Sequence, residues 1–145
     1  MEPYSLRNVI INDFDQIFKL LKQLWPNKTL HYENMKVMFT RNLQAPNQRY
    51  ICAEVSSKII GFCSLTVKNN LWQQTFLGNI DEFVVDESHR GRGVGSKLLD
   101  RITEIAKSEG CVRIELDSAF HREKAHEFYK NLGFESRAYL FTKPL

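Results

Sequence analysis

Asp86-Glu87-Ser88-His89-Arg90-Gly91-Arg92-Gly93-Val94-Gly95-Ser96 joins a strand to a helix. Ahead of it, about Phe76 to Asp86 reads as a strand. Behind it, Leu98, Leu99, Ile102, Ile105 and Ala106 recur at helical spacing to about Ser108, with Gly110 as a C-cap just past the end. Three glycines let the backbone turn tightly and come close to a ligand. The following helix starts with N–H groups that have no partner inside the helix and with the positive end of its dipole, a natural seat for phosphate or pyrophosphate. Arg90 and Arg92 add charge. Glycines serving turn geometry alone are the bland alternative. The agreement of strand, loop, paired arginines and amphipathic helix favours the anion site.

Two common phosphate binders do not fit. A dinucleotide fingerprint needs Gly-x-Gly-x-x-Gly, but Gly91-x-Gly93 is followed by Ser96 and Gly93-x-Gly95 by Leu98. A P-loop needs Gly-Lys-Ser/Thr, and here the order is Gly95-Ser96-Lys97.

At the N-terminal end, Tyr4–Ile11 reads as a first strand. Asp13 is placed to cap a helix bearing Phe14, Ile17, Phe18, Leu21 and Leu24, which Pro26 and Asn27 end. A weaker helix follows from about His31 to Asn42, then a turn at Ala45-Pro46-Asn47. Arg49–Val55 and Ile59–Val67 read as a hairpin across Ser56-Ser57-Lys58. After the glycine loop and its helix, Val112–Leu116 is a strand, Arg122–Leu132 a helix, and Phe134–Thr142 one or two closing strands. Antiparallel strands followed by a strand–loop–helix–strand crossover predict a mixed sheet with helices packed on it. At 145 residues the chain fits one domain, and 43% apolar residues suffice for a sizeable core.

At Arg90-Gly91-Arg92-Gly93-Val94-Gly95 the chain resembles the GNAT N-acetyltransferase family, whose acetyl-CoA loop reads Arg/Gln-x-x-Gly-x-Gly/Ala. The family's later segment is matched by Ala125-His126-Glu127-Phe128-Tyr129 and then Gly133-Phe134. A narrower likeness, to the bacterial aminoalkylphosphonate N-acetyltransferases, rests on Asn42-Leu43, Pro46-Asn47, Arg49-Tyr50, Phe83-Val84-Val85, Val94 to Leu99, Arg122, Ala125-His126 and Phe141-Thr142-Lys143. The resemblance implies a single α/β (α+β mixed) domain over residues 1–145, its central mixed antiparallel/parallel sheet flanked by helices. The activity implied is acetyl transfer from acetyl-CoA to the primary amine of a small molecule, an aminoalkylphosphonate in the narrower likeness.

The family's mode of binding implies that the backbone of Phe83, Val84 and Val85 lies along the acetyl-pantetheine arm. The N–H groups of Gly91, Arg92, Gly93, Val94, Gly95 and Ser96 would hold the pyrophosphate, with Arg90 nearby. Arg122 stands where many relatives have an asparagine that touches the cofactor. An alkyl amine is protonated at neutral pH and must lose a proton before it attacks. Asp81 and Glu82 are the candidate bases: polyamine and aminoglycoside relatives carry the acid at the position of Asp81, phosphonate-type relatives at Glu82. Adjacent strand residues face opposite sides, so only one is expected in the cleft; a solvated surface carboxylate is the alternative for each. The resemblance implies Tyr129 as the acid that protonates the leaving thiolate. By pattern alone it also fits an apolar stripe with Ala125, Phe128 and Leu132.

Cys52, Cys63 and Cys111 form no CxxC pair and read as buried, reduced thiols, which favours direct transfer in a ternary complex over an acetyl-cysteine route. His121 and His126 lack the spacing of a metal pair. The phosphonate-type likeness leaves a divalent ion open, with no ligand motif in the sequence to support it. Arg41 and Arg49 are candidates for an anionic acceptor group. A net charge of +3 without basic runs gives no argument for nucleic acid. No apolar run reaches membrane length and Met1 to Leu6 shows no signal-peptide pattern, so a cytoplasmic location is expected. A homodimer is the family's common state. Two other function classes stay in view: a protein lysine or N-terminal acetyltransferase, and a non-catalytic acetyl-CoA sensor.

Overall fold

A computed structural model describes residues 2–145. Two compact units are distinguished in it, Met1–Glu115 and Leu116–Leu145. The first holds one five-stranded sheet in the order β1 (Ser5–Asn8), β2 (Gln48–Val55), β3 (Lys58–Asn70), β4 (Thr75–Val85) and β5 (Cys111–Glu115). β1 to β4 pair antiparallel, and β4 pairs with β5 parallel, as the crossover through the glycine loop requires. The helices of this unit are α1 (Phe14–Leu24), α2 (Tyr32–Gln44) and α3 (Val94–Ser108).

Side-chain alternation sorts the helices onto two faces. Phe62 lies opposite both Cys52 and Val84, and all three pack with Phe14, Ile17, Phe18 and Leu21 of α1 and Phe39 of α2. Tilted and edge-to-face ring contacts run Phe14–Phe39–Tyr50–Phe62 at centroid spacings of 5.0, 5.6 and 5.2 Å. The neighbouring residue Gly61 faces the other way, toward α3. A methyl group there would lie 2.7 Å from Leu98 Cδ1 and 3.4 Å from Val94 Cγ1. The bare backbone at Gly61 is therefore what lets the first turns of α3 sit against the sheet.

Two expectations are corrected. Asp13 stands at the start of α1 but makes no side-chain bond into that helix. Its carboxylate instead accepts from Ile10 N at 2.8 Å and from Arg7 Nη1 and Nη2 at 2.8 and 3.0 Å. It thus closes the 3-10 turn Ile11–Asp13 and ties it to β1. Burial opposes the charge of Asp13, but the Arg7 and Ile10 donors outweigh it and hold the carboxyl below its ordinary range.

The second correction concerns the C-terminus. In Leu116–Leu145 the sole regular element among the described residues is α4 (Glu123–Asn131), and no strand forms over Phe134–Thr142. Tyr139, Leu140 and Phe141 are instead exposed. Strand-forming composition states only that a segment suits a pleated, half-buried surface; a ladder also needs a partner.

Candidate functional site

The register between β3 and β4 slips at the candidate carboxylates. Cys63 lies opposite Phe83, but Leu65 lies opposite Ile80, so Asp81 and Glu82 together oppose the single residue Ser64. This is a β-bulge with the extra residue on β4. In a regular ladder Asp81 would oppose Leu65, which is fully buried on the α3 face. The bulge turns it to the other side. Asp81 Oδ2 accepts from Thr66 Oγ1 and its Oδ1 from Asn79 Nδ2, while Glu82 Oε2 accepts from Ser64 Oγ at 3.0 Å. Ser64 and Thr66 are two apart on β3 and share a face, so both carboxylates lie on the side of the sheet that carries Tyr50. The expectation that adjacent residues must diverge fails because it assumed an unbroken strand.

The two carboxylates are nonetheless in different settings. Asp81 is exposed. Glu82 is half-buried, and burial pushes its carboxyl up to about 7; Ser64's hydrogen bond works against that rise and the nearby Asp81 charge adds to it. Tyr50, directly across from Ser64, is buried and accepts Asn42 Nδ2 at 2.8 Å. Burial, reinforced by Glu82 and Asp81, pushes this phenol up to about 12.

β5 ladders with β4 only as far as Asn79–Glu115, while β4 runs on to Val85. Val84 is buried; Phe83 and Val85 are half-buried. The glycine loop begins where β4 ends. Asp86 anchors it: Gln23 Nε2 of α1 donates at 2.9 Å, His89 Nδ1 lies at 2.9 Å, and the Ser88 hydroxyl donates as well. Gln23 Oε1 in turn accepts Glu87 N at 2.9 Å. Burial opposes the Asp86 charge, but these donors together with Lys58 hold its carboxyl far below the usual carboxylate range. Arg90 Nε donates to Val85 O at 2.9 Å, so this arginine braces the loop against the strand.

Gly91 and Gly93 have φ of +74° and +83°, the left-handed region that side chains other than glycine rarely adopt. Gly93 is the N-cap of α3, and the first intrahelical bond runs from Lys97 N to Gly93 O at 3.1 Å. The N–H groups of Val94, Gly95 and Ser96 thus have no partner within the helix. An extended strand edge leading into an open helix N-terminus is what a polar arm ending in pyrophosphate needs.

The profile of the Acetyltransferase (GNAT) family matches residues 14–134, most of the chain and part of both units. The chain belongs to the GNAT acetyltransferase family. It is similar to the aminoalkylphosphonate N-acetyltransferase of Salmonella typhimurium, 33% identical over 145 residues, covering 100% of this chain and 94% of that protein. It is also similar to the glucosamine 6-phosphate N-acetyltransferase of Trypanosoma brucei brucei, 35% identical over 89 residues, 61% of this chain and 58% of that protein. Among solved structures, a transcriptional regulator from Bacillus halodurans C-125 superposes with a TM-score of 0.87 at 25% identity, covering 99% of this chain and 100% of that one. GNAT acetyltransferases use acetyl-CoA as the acyl donor.

The remaining residues singled out in the sequence are less uniformly placed. Tyr129 lies on α4 with ring contacts to Phe128 and Phe134, both at 5.6 Å. Arg122 is the N-cap residue of α4, its carbonyl accepting His126 N at 3.0 Å. His126 Nε2 lies 2.9 Å from Ala119 O. Among the described residues no group of three or more His, Cys, Asp or Glu converges as metal ligands. Arg49 is committed within the fold: it binds Glu109 Oε1 at 2.6 Å and the carbonyls of Pro46 and Gln48 at 2.8 Å. That leaves it poorly suited to an acceptor anion. Cys52 and Cys63 are buried and Cys111 half-buried; burial pushes the Cys52 thiol up to about 11 and Cys63 higher still, the opposite of what a nucleophile needs. Two contributors were not singled out from the sequence, Ser64 and Gln23. Ser64 had a visible signal, a polar residue inside the apolar run Ile59–Val67. Gln23 had none, since its partners lie more than sixty positions away.

Proposed function

We propose that this acetyltransferase acts on the primary amine of a small molecule by direct transfer from acetyl-CoA, with an aminoalkylphosphonate as the first acceptor to test. The observation that carries the reading is Glu82: a half-buried carboxylate held near neutral pKa at a strand bulge, one short strand segment from the glycine loop. A general base works best with a pKa near the operating pH. Glu82 takes the proton of the acceptor's ammonium group, directly or through one water. Asp81, exposed on the same face, keeps negative charge near the incoming ammonium. Acetyl-CoA supplies the thioester carbonyl at which the amine nitrogen attacks. The backbone of Phe83 to Val85 aligns its arm, the N–H groups of Gly91 to Ser96 hold its pyrophosphate, and Arg90 and Arg92 balance the charge.

As the new C–N bond forms, the nitrogen holds one proton more than an amide. The C–S bond breaks, the thiolate takes a proton from the Tyr129 hydroxyl, and the nitrogen's surplus proton, passed through water, restores that hydroxyl; family resemblance supports the Tyr129 role. The buried thiols support direct transfer, because no cysteine is poised as a thiolate. The likeness to the Salmonella protein over nearly both full lengths supports the aminoalkylphosphonate. The Trypanosoma relative, named for a phosphorylated amino sugar, points likewise to an anionic amine. We read residues 1–145 as one catalytic domain.

The test follows free thiol release from acetyl-CoA with aminoalkylphosphonates, glucosamine 6-phosphate, polyamines, aminoglycosides and lysine peptides, with and without divalent metal. Preference for an aminoalkylphosphonate by tenfold or more in kcat/KM is the expected result, with Tyr129→Phe lowering kcat while leaving acetyl-CoA binding intact. Preference for a peptide would replace the small-molecule reading with a protein acetyltransferase. Tight acetyl-CoA binding without turnover on the whole panel would point to a sensor.

A further inference from the structure

Ser64 sits in the middle of β3 between Cys63 and Leu65 and, like them, has no exposed surface. A hydroxyl in such a place must find partners, and Ser64 finds both on one residue. Its oxygen accepts Glu82 N at 2.9 Å, and its proton goes to Glu82 Oε2 at 3.0 Å. The first bond satisfies a backbone donor that the bulge removes from the regular ladder. The second fixes one carboxylate oxygen and leaves the other for a proton.

We propose that Ser64 is a positioning residue for acetyl transfer, holding the β4 bulge and the Glu82 carboxylate in the orientation that accepts the acceptor's proton. The proposal rests on the reading of Glu82 as the base. The arrangement is specific: a regular ladder would face Asp81 into the buried α3 side, whereas the bulge places both carboxylates with Tyr50. The hydroxyl also donates to the ionised carboxylate, which favours the charged form against burial. The titratable groups around that carboxylate are Asp81 on β4, Cys63 on β3 and Tyr50 on β2.

The experiment is a pH profile of kcat/KM with one fixed acceptor for the wild type, Ser64→Ala, Ser64→Thr, Glu82→Gln and the Ser64→Ala/Glu82→Gln pair, with acetyl-CoA affinity measured on each. Ser64→Ala is expected to move the acid limb up by about one pH unit, which lowers kcat/KM at pH 7 about fivefold, with acetyl-CoA affinity unchanged. Ser64→Thr keeps the hydroxyl and should return the limb toward the wild type. In the Glu82→Gln background, Ser64→Ala should cost nothing further in residual rate. If Ser64→Ala does not fold, Ser64→Cys, close in volume and a poor donor, gives the same comparison. An unmoved limb, or an equal proportional loss in both backgrounds, would overturn the positioning role while leaving the base in place. Full activity of Glu82→Gln with its acid limb intact would instead overturn the base, and Ser64's role with it.

Discussion

Glu82 sits where the fold penalises its negative charge. Its carboxyl titrates near 7 in the folded protein against an ordinary value of 4.5. The folded state therefore binds the proton more tightly than the unfolded chain does. The stabilisation this gives is fully present below about pH 4.5 and is lost as the pH rises through about 7. Glu82→Gln keeps the shape and abolishes the charge. It should unfold at the same denaturant midpoint as the wild type near pH 4, and be the more stable protein at pH 8 by roughly 3 kcal/mol. Its turnover at pH 8 should fall by at least a hundredfold, as for loss of a general base. Urea titrations at the two pH values check the first statement, and thiol release the second. Equal stability at pH 8 would show that the carboxylate is solvated and not raised by burial. The sequence held both acids in view and could not separate them. Neither alternation nor composition reveals a bulge; that follows from the register of β3 against β4, a pairing between distant segments.

Among the elements, the glycine loop is held in place because α3 is pinned close to the sheet. Gly61 has room for hydrogen only, with Leu98 and Val94 of the first turns of α3 where a methyl would go. Gly61→Val should push those turns away, destabilising the protein by about 1–3 kcal/mol as an overpacked core and weakening acetyl-CoA binding with it. Gly93→Ala is the complementary case. A methyl there meets nothing within 4 Å, but φ of +83° is strained for alanine, so the cost of about 1–2 kcal/mol should fall on the loop. The open loop relieves part of that strain by leaving the left-handed geometry, so acetyl-CoA affinity should drop about tenfold while the unfolding midpoint falls by less than the full strain would give. Isothermal titration with acetyl-CoA, paired with urea unfolding, separates the two; equal behaviour of both variants would show that loop geometry and helix docking are not distinct. The strand, loop and helix were legible before the structure because their signals are local: glycine spacing, apolar period, Gly110 at the helix end. The Gln23–Asp86 tie that anchors the same loop was not, because it joins α1 to the end of β4 across the chain. The role of Asp13 is hidden in the sequence for a related reason, since its charged partner, Arg7, comes from the neighbouring strand rather than from the helix it precedes.

For the whole molecule, the mixed sheet and its crossover followed from element order, and the family followed from two short motifs. The C-terminal strands did not form, since apolar composition in Phe134–Thr142 supplies no pairing partner by itself. This bears on whether the chain is one folding unit. Residues 116–145 hold one nine-residue helix with none of its residues buried. A helix that short is marginal in isolation, and a segment of that size is too small to build its own core. The family profile nevertheless runs through both units to residue 134. If residues 1–145 act as one domain, they should unfold together. Both tryptophans, Trp25 and Trp72, lie in Met1–Glu115, so their fluorescence reports that unit alone, while far-UV circular dichroism also reads α4. The expected outcome is that the two probes give one coincident thermal transition. Acetyl-CoA at a hundred times its Kd should raise both together by about 2.7 kcal/mol of added stability. An early loss of dichroism with fluorescence unchanged would make residues 116–145 a separately melting segment. If acetyl-CoA then abolished that early step, Tyr129 would belong to an element that the cosubstrate itself orders.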